Sequence, residues 1–488
     1  ESSYKVFWFA IVSRVTILIL QFIFNILCPD HDADAFRSPV TDSETSMFKN
    51  VITTIFSGLT RWDGEYYIHI AKYGYTYENT LAFYPLYPLL TRIISIPITR
   101  IFLILNTHNA IVIAGLLINF VCFIKSAIIF YDLSVMVFKK KDIAYKAAIL
   151  YCINPSSIFF SATYSESLFA CLTYYTMLKS MKLDSYVLFP LSLSILVRSN
   201  GILNIGFPIY FQLKNLYAIY LKRYKNPSLR TLCQFTLQFS TLKHLCYICN
   251  IIIMSIIPYL LLQVYNYITF CTFSSDETLL PSHIVNYSIT NKLKLPGDKN
   301  IQWCKVKIPI AYSYIQQEYW NVGFLNYYRL KQLPNFILAL PVFYIMTSCV
   351  KQYFLEHTKY LCTLGFIEDV KAKTFAKTKG YPAEMLVFII HGSFLTIFCI
   401  FFVHIQVSTR LLISASPLVC WYCALKLSYV PDYKSDVIYD DKKNVCSKYR
   451  IFFLSQKRYS FEDKLVLSYF LGYTILGCFM FSNFLPWT

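Results

Sequence analysis

Apolar residues arrive along the chain in long blocks separated by short polar stretches. Most blocks hold roughly 17 to 28 residues with few charges, and about 20 apolar residues in a helix cross the hydrocarbon core of a bilayer. The pattern therefore predicts an all-α, polytopic membrane protein. The blocks lie near residues 4–28, 84–105, 111–138, 143–162, 164–182, 186–213, 246–270, 334–353, 384–404, 409–428 and 464–481.

Two of these blocks are irregular. Block 84–105 contains three prolines and two arginines, which favour a juxtamembrane helix at the bilayer surface over a lipid-facing span. Block 186–213 is interrupted by the polar run 198–201, which favours a turn between two short crossings inside the protein. If the first block does not span and the second crosses twice, the chain has about eleven transmembrane helices.

Composition supports a membrane protein and gives it an orientation. Only 15% of the 488 residues are charged, against about 25% in a soluble globular protein, and the mean hydropathy is +0.46. The net charge of +18 could indicate a nucleic-acid partner, but the basic residues lie in loops between blocks, as expected for cytoplasmic loops. No nucleic-acid partner is therefore expected. The basic clusters lie at 139–141, 214–230, 371–379 and 442–458.

This orientation places five polar features on the opposite, lumenal side of the membrane. No repeat or flexible linker divides the chain, so residues 1–488 are predicted to form a single membrane domain. The features are the first polar segment at 29–110, the turns at 163–167, 198–201 and 407–410, and the second polar segment at 271–333.

The second polar segment also contains two features of chemical interest. A glycosylation sequon begins at Asn286, which would suit a lumenal loop. Cys271 and Cys304 lie in the same segment, where a disulfide is the alternative to two free thiols. Most of the other cysteines lie inside apolar blocks, where they are expected to be buried thiols, so no metal site is expected.

The most informative stretch is RWDGEYYIHIAKYGYTY in the first polar segment. Asp63 follows Trp62 and precedes two tyrosines, so its carboxylate lies near surfaces on which a sugar ring can stack. Such a shielded carboxylate is a candidate general base for a hydroxyl group. The alternative is that Asp63 caps a helix running from residue 64 to 72. Glu65 is either a second acid or a first-turn charge that favours the helix dipole.

Three further charged residues lie at the predicted lumenal turns. Glu166 begins a predicted span, where an acid is either a helix-start charge or an active-site carboxylate. Arg198 and Arg410 lie between adjacent crossings, where a guanidinium can bind a phosphate or pair with Glu166 or Asp63. The sequence alone leaves both alternatives open.

Several common catalytic signatures are absent from the sequence. It contains no GxxxxGK[ST], GxGxxG, HExxH or GxSxG motif, which disfavours ATP-driven transport, dinucleotide chemistry, zinc hydrolysis and serine hydrolysis. If the protein is an enzyme, its donor substrate is expected to be an activated lipid-phosphate sugar from the membrane. Arg14, Lys125 and Asp132 lie within or near spans, and no catalytic role is assigned to them.

A series of motifs runs from near the N-terminus to the last residue: RWDGEYYIHIAKYGY, AFYPLYPLL, NPSSIFFSATYSESLFA, VRSNG, IPIAYSYIQQEYWNVGFLNYYRLKQLPNF, QVSTRLL and NFLPWT. In this order they resemble the PIG-V family of GPI mannosyltransferases. WNVGFLNYY followed by QLPNF, together with NFLPWT, is highly specific, whereas RWD alone is weak. The basic stretch 430–460 has no counterpart in the resemblance.

The resemblance implies a fold, an activity and a set of partners. It implies a GT-C glycosyltransferase bundle in the endoplasmic reticulum membrane, with its catalytic side facing the lumen. Such an enzyme transfers mannose from dolichyl-phosphate-mannose to the GPI precursor glycolipid, adding the second mannose in an α1,6 linkage with inversion. No cofactor is implied beyond the lipid donor, and a small accessory membrane subunit is a further expected partner.

The resemblance also implies roles for particular residues. Asp63 matches the carboxylate that GT-C enzymes use as the base, Arg198 and Arg410 are expected at the donor phosphate, and Glu166 at the acceptor. The aromatic block 308–336 offers stacking surfaces for the acceptor glycan, with an aromatic interfacial belt as the alternative. The candidate substrate-binding residues are Arg61, Trp62, Glu65, Glu166, Arg198, Asn200, Trp320 and Arg410.

Two other functions fit the same sequence. One is a transferase that uses another dolichyl-phosphate sugar or another acceptor, and the other is a polytopic transporter of lipid or solute. Convergence of Asp63, Glu166, Arg198 and Arg410 at one lumenal pocket favours transfer. A site at the middle of the membrane, open alternately to both sides, favours transport.

Overall fold

The computed structural model describes residues 2–39, 47–102, 105–224, 228–272, 280–366, 380–428 and 459–487. These residues form helices and connecting turns, with no strand among them, so the predicted all-α class is confirmed. The basic clusters at 371–379 and 442–458, the stretch 430–458 and part of cluster 214–230 lie outside the described residues.

Nine of the described α-helices lie before residue 224. They are α1 (Ser2–Leu27), α2 (Met47–Phe56), α3 (Asp63–Tyr73), α4 (Leu86–Ile101), α5 (Thr107–Phe138), α6 (Lys141–Cys152), α7 (Glu166–Met181), α8 (Leu188–Val197) and α9 (Gly206–Arg223).

The described ranges after residue 224 contain further helices. They are α10 (Leu229–Thr236), α11 (Phe239–Tyr267), α12 (Ser282–Asn291), α13 (Ala311–Trp320), α14 (Leu333–Glu356), α15 (Thr358–Cys362), α16 (Leu386–Phe401), α17 (Ser408–Ala415), α18 (Leu418–Lys426) and α19 (Phe461–Ser482).

Six described segments are long and apolar enough to cross a membrane, which makes this a multi-pass membrane protein. The predicted count of eleven is not confirmed. Helix α4 has 16 residues with Pro97 inside it and is not one of the six. The six segments are Ser2–Leu27, Thr107–Phe138, Phe239–Thr272, Leu330–Glu356, Ala383–Phe401 and Phe461–Ser482.

The other predicted spans contain shorter helices because prolines and polar turns interrupt them. Block 143–162 is helical only as far as Cys152, since Pro155 lacks an N–H and disfavours helix at the residue before it. Pro417 separates α17 from α18 inside block 409–428. Block 186–213 is broken at the expected place, because α8 ends at Val197 and a 3-10 turn precedes α9.

Arg14 stabilises the irregular stretch 153–165 that leads into α7. Its buried guanidinium donates hydrogen bonds to the carbonyls of Cys152 and Ser157, both at 2.9 Å, and to the Ser161 hydroxyl at 3.0 Å. The ring of Phe123 lies 3.7 Å from the guanidinium carbon. Backbone carbonyls without helical partners need such donors in apolar surroundings, so this intramembrane charge has a structural role.

Glu78 joins the described parts of the two polar segments. Its fully buried carboxylate accepts hydrogen bonds from Trp303 Nε1 at 2.9 Å and Tyr319 Oη at 2.7 Å, and Lys294 Nζ lies 3.2 Å away. A disulfide between Cys271 and Cys304 ties the second segment to the end of α11, which settles the alternative left open by the sequence. The two polar segments thus pack as one unit.

Candidate active site

Asp63 is the first residue of α3, and a strained turn leads into it. The preceding Trp62 has a φ of +55°, a left-handed value that residues other than glycine rarely adopt. The Tyr164 hydroxyl accepts a hydrogen bond from the Asp63 N–H at 3.0 Å and donates one to the Arg61 carbonyl at 3.2 Å. Tyr164 therefore bridges the strained residue and determines where α3 begins.

The side chain of Asp63 does not cap the helix. Helix α3 begins at Asp63 itself, and Trp62 occupies the N-cap position without a side-chain hydrogen bond. Asp63 Oδ2 instead accepts a 2.8 Å hydrogen bond from Arg410 Nη2. The helix-cap alternative is therefore wrong, because this carboxylate pairs with a charge from a distant part of the chain.

Gly64 allows α3 to approach the stretch that precedes α7. A Cβ atom on Gly64 would lie 2.6 Å from Thr163 Oγ1, which is too close for a real contact. Thr163 is itself fixed, since its N–H and its hydroxyl both donate to the Leu59 carbonyl, at 3.0 and 3.1 Å. The close approach brings Asp63 beside Glu166, the first residue of α7.

Four charged side chains form one network at this place. Arg410 Nη2 pairs with Asp63 at 2.8 Å, and Arg410 Nη1 lies 3.7 Å from Glu166 Oε1. Arg198, directly after α8, donates a hydrogen bond to the same oxygen of Glu166. The structure therefore brings all four residues together, and each arginine has an ionic partner that the sequence had offered as an alternative to phosphate.

The four side chains differ in access to solvent. Glu166 has no exposed surface, Arg410 and Arg198 are 13% and 16% exposed, and Asp63 is 29% exposed. Glu166 Oε2 and Arg410 Nε are buried and have no hydrogen-bond partner among the described residues, and the same holds for Asn200 Nδ2, two positions after Arg198 in the chain. The network thus has one accessible carboxylate and unused donors beside it, which is a suitable arrangement for an anionic ligand.

Arg61 and Trp62 face away from the network. Arg61 pairs with Asp30 at 2.9 Å and donates to the Ser482 carbonyl at 3.2 Å. The ring of Phe484 lies 4.4 Å from the Arg61 guanidinium and 5.8 Å from the Trp62 ring. Two motifs at opposite ends of the sequence, RWD and NFLPWT, therefore contact each other and brace the turn before Asp63.

Glu65 faces a different neighbourhood from Asp63, although only one residue separates them. Its Oε2 accepts a hydrogen bond from the Ser38 N–H at 3.2 Å, and the Ser38 hydroxyl contacts His69 Nδ1 at 3.0 Å. Burial raises the pKa of the Glu65 carboxyl to about 7, although the Ser38 N–H and Arg61 act against this shift. Burial also lowers the pKa of His69 to about 3. Glu65 is therefore outside the charged network.

Trp320 is part of an aromatic wall beside α3. Its ring centroid lies 6.0 Å from those of Tyr66 and Phe83, while Tyr66 stacks on Phe83 at 4.5 Å and on Phe36 at 4.2 Å. Tyr66 follows Asp63 by three residues on the helix. Phe36 and Phe83 thus stack on Tyr66, so rings of the first polar segment form one packed cluster with Trp320 of the second.

Other tyrosines of the 308–336 block serve as tethers. Tyr312 Oη bonds the Ser199 hydroxyl at 2.9 Å, next to Arg198, and Tyr319 donates to Glu78. Tyr327 donates to Gln332 at 2.7 Å. These contacts connect the second polar segment to the charged network and to α14, so much of the aromatic content there is structural.

Sequence reasoning missed Tyr164, Thr163 and Gly64 as site residues. Each acts through a contact across about 100 positions of the chain or through the space that it leaves empty. The one available signal was the position of Tyr164 within ATYSES, two residues before Glu166. Across the described ranges, no group of three His, Cys, Asp or Glu side chains is placed to hold a metal ion.

Comparison with known families identifies the type of protein in which this network occurs. The model of the family described as mannosyltransferase (PIG-V) matches residues 3–488. The chain belongs to this family. The resemblance of the motifs from RWDGEYY to NFLPWT is thereby confirmed over residues 3–488.

Curated relatives of this mannosyltransferase family match the chain end to end. GPI mannosyltransferase 2 of Drosophila melanogaster is 33% identical over 498 residues, covering 99% of both chains. GPI alpha-1,6-mannosyltransferase 2 of Homo sapiens is 31% identical over 500 residues, covering 99% of this chain and 98% of the relative. The Cricetulus griseus protein of the same name is 32% identical over 508 residues, covering 100% and 99%.

A solved structure also aligns with the chain. It is the crystal structure of the Archaeoglobus fulgidus oligosaccharyltransferase, tethered with an acceptor peptide that contains an NVT sequon. The alignment covers 99% of this chain and 56% of that chain, with 12% identity and a TM-score of 0.37. A likeness of this degree carries no argument about the site.

Proposed function

We propose that this chain transfers mannose from dolichyl-phosphate-mannose to a GPI precursor that carries one mannose, forming an α1,6 linkage at the lumenal face of the endoplasmic reticulum membrane. The observation that carries the proposal is the convergence of Asp63, Glu166, Arg198 and Arg410 from four distant parts of the chain. Family membership supports the mannose chemistry, and the names of the relatives support the acceptor and the linkage.

Asp63 is the proposed general base. A β-linked donor that gives an α-linked product reacts by one displacement, in the manner of GT-C enzymes. In this step, the acceptor hydroxyl loses its proton as its oxygen bonds to the anomeric carbon. Asp63 is the most exposed member of the network, and its position at the start of α3 is fixed by Tyr164. A carboxylate placed in this way can take that proton.

Arg198 and Arg410 are proposed to bind the departing phosphate. Two guanidiniums and the unpartnered amide of Asn200 offer charged and neutral donors to phosphate oxygens. Negative charge on the phosphate grows as the bond to mannose breaks, so these donors stabilise the transition state more than the bound donor. No cofactor is required for this chemistry.

Glu166 is proposed to position the arginines. It is fully buried, bonded to Arg198 and 3.7 Å from Arg410. This burial favours a positioning role over the acceptor contact expected from the family resemblance. The acceptor glycan is assigned instead to Trp320, which lies in the aromatic wall beside α3.

Membership of a mannosyltransferase family favours transfer over transport. The four charged residues lie at helix ends: Asp63 and Glu166 begin α3 and α7, Arg198 directly follows α8, and Arg410 lies in the first turn of α17. A transferase with another dolichyl-phosphate sugar would use the same residues, so the choice of donor and acceptor rests on the relatives. An accessory subunit remains a prediction.

Complementation tests the proposal in cells that lack addition of the second mannose. The wild-type chain should restore GPI-anchored proteins at the cell surface, and Asp63→Asn should not. Glu318→Gln is the matched control, because it neutralises an exposed carboxylate on α13. Full restoration by Asp63→Asn at a normal protein level would rule out Asp63 as the base.

A further inference from the structure

The network pairs the proposed base with a proposed ligand of the phosphate. Arg410 donates a charge-assisted hydrogen bond to Asp63 at 2.8 Å, and its other terminal nitrogen lies 3.7 Å from Glu166. An oxygen that already accepts a charge-assisted hydrogen bond is less available to an acceptor hydroxyl. Oδ2 of the proposed base is therefore occupied while the donor phosphate is absent.

We propose that Arg410 is a latch: the donor phosphate takes Arg410 away from Asp63, and this exchange frees Asp63 to act as the base. The inference rests on the proposed function, since it takes the donor to be a polyprenyl phosphate sugar. It assigns to Arg410 a double role, as the partner of the base in the empty enzyme and as the partner of the phosphate during transfer.

Unused donors of Arg410 and Asn200 support the exchange. Arg410 Nε is buried and has no hydrogen-bond partner in the described residues, and the same holds for Asn200 Nδ2, two positions after Arg198 in the chain. Unpaired buried donors are costly, and a phosphate oxygen would satisfy them.

Two aromatic rings keep the Arg410 guanidinium at the site whichever anion it pairs with. Its central carbon lies 4.9 Å from the ring of Phe159 and 5.4 Å from that of Tyr164. These cation–π contacts do not involve its N–H groups. Arg410 can therefore change its hydrogen-bond partner without losing these contacts.

The exchange also balances charge through the reaction. As the acceptor oxygen bonds to the anomeric carbon, the bond from that carbon to the phosphate oxygen breaks and its electron pair stays on the phosphate. The acceptor proton passes to Asp63, which becomes neutral as the phosphate gains a second negative charge. The net charge of the site is unchanged, and Arg410 is then no longer attracted to Asp63, which suits a site of low dielectric.

Binding of dolichyl phosphate to the full-length protein in nanodiscs tests the latch. Asp63→Asn removes the competing charge and keeps the size of the side chain, so it should bind dolichyl phosphate on the order of tenfold more tightly than wild type while losing transfer. Arg410→Ala should bind weakly, and adding Asp63→Asn to Arg410→Ala should bring no gain. Dolichol without phosphate and the variant Glu318→Gln serve as controls.

Equal or weaker binding by Asp63→Asn would overturn the latch. Asp63→Ser repeats the test under the same criterion and covers the case in which Asp63→Asn does not fold. The latch and the proposed function fail separately in this design. If wild type transfers mannose but the Asp63 variants do not bind dolichyl phosphate more tightly, only the latch is rejected. If the variants bind more tightly but wild type transfers no mannose, the proposed function is rejected.

Discussion

Tyr164 shows how a residue without catalytic chemistry determines the site. Its hydroxyl joins the Asp63 N–H to the Arg61 carbonyl, across the left-handed Trp62. Its ring also lies beside the Arg410 guanidinium. A single side chain thus contacts both halves of the pair formed by the base and its arginine.

Tyr164→Phe should lower kcat on the order of tenfold and change the KM for the donor little, because the ring stays and only the two hydrogen bonds are lost. Initial rates over a range of donor concentrations measure this split. Tyr353→Phe is the matched control, since the Tyr353 hydroxyl donates to the Ala383 carbonyl outside the network. A kcat for Tyr164→Phe equal to that of the control would remove the positioning role.

Glu65 makes stability depend on pH. Its pKa is raised by burial from 4.5 to about 7, so the folded protein holds this proton more strongly than the unfolded chain. Stability from this group is present below about pH 4.5 and is lost as the pH rises through about 7.

Glu65→Gln should remove this dependence, because an amide stays neutral. The Tm of wild type minus the Tm of Glu65→Gln should be a few degrees larger at about pH 5 than at about pH 8. Thermal unfolding in detergent measures the difference between the two proteins at each pH. An equal Tm difference at the two pH values would show that Glu65 does not titrate in this range.

At the scale of elements, the site depends on how α3 docks against the stretch before α7. Gly64 leaves no room for a side chain against Thr163. Gly64→Ala should destabilise the protein by about 1–3 kcal/mol and reduce transfer, because the start of α3 must move away from Thr163.

A second substitution tests the cause of that loss. Thr163→Ala removes the clashing oxygen, so the double variant should recover part of the stability that Gly64→Ala loses. Gly206→Ala, where a Cβ would meet no atom within 4 Å, is the matched control for adding a methyl group. Thermal unfolding and transfer rates compare the four proteins. Absence of any recovery in the double variant would place the cause elsewhere.

The sequence predicts the elements to different extents, and the reason is physical. Long apolar blocks correspond to the long helices α1, α5, α11 and α14, although Pro258 and Pro341 lie inside the last two. Blocks 143–162 and 409–428 are equally apolar but hold shorter helices, since Pro155 and Pro417 interrupt them. Hydropathy reports whether a residue avoids water, but not whether its helix faces lipid or the interior of the bundle.

The site was predictable in its residue types and not in its contacts. Asp63, Arg198 and Arg410 were recognisable because charges at helix ends in an apolar chain need partners or ligands. The pairing of Arg410 with Asp63 spans 347 positions, and no local pattern encodes a contact of that range. The close approach of Gly64 to Thr163 could not be predicted for the same reason.

At the scale of the whole molecule, the central spatial question is which side of the membrane carries the network. Helix α12 of the second polar segment packs on the segment of Asp63, where the Tyr77 hydroxyl donates to the Ile284 carbonyl at 3.1 Å. Asn286 is exposed on this helix and begins the sequon. The presence or absence of a glycan on Asn286 therefore reports the side of the membrane on which Asp63 lies.

Wild type should carry one N-linked glycan at Asn286 if this side is lumenal. Electrophoresis before and after glycosidase treatment measures it: wild type should shift, Asn286→Gln should not, and Asn291→Gln, on the same helix outside the sequon, should shift as wild type does. Absence of a glycan on wild-type protein made in a cell that glycosylates a control protein would contradict the lumenal placement.

The account as a whole depends on one claim, that the four-residue network is the active site of a mannosyltransferase. The most direct measurement is transfer by purified full-length protein in nanodiscs, with dolichyl-phosphate-mannose as the donor and the precursor that carries one mannose as the acceptor. We predict an α1,6-linked second mannose from wild type, the same product from Glu318→Gln, and at least about a hundredfold lower rate from Asp63→Asn. Formation of the product by Asp63→Asn at the wild-type rate would contradict the account.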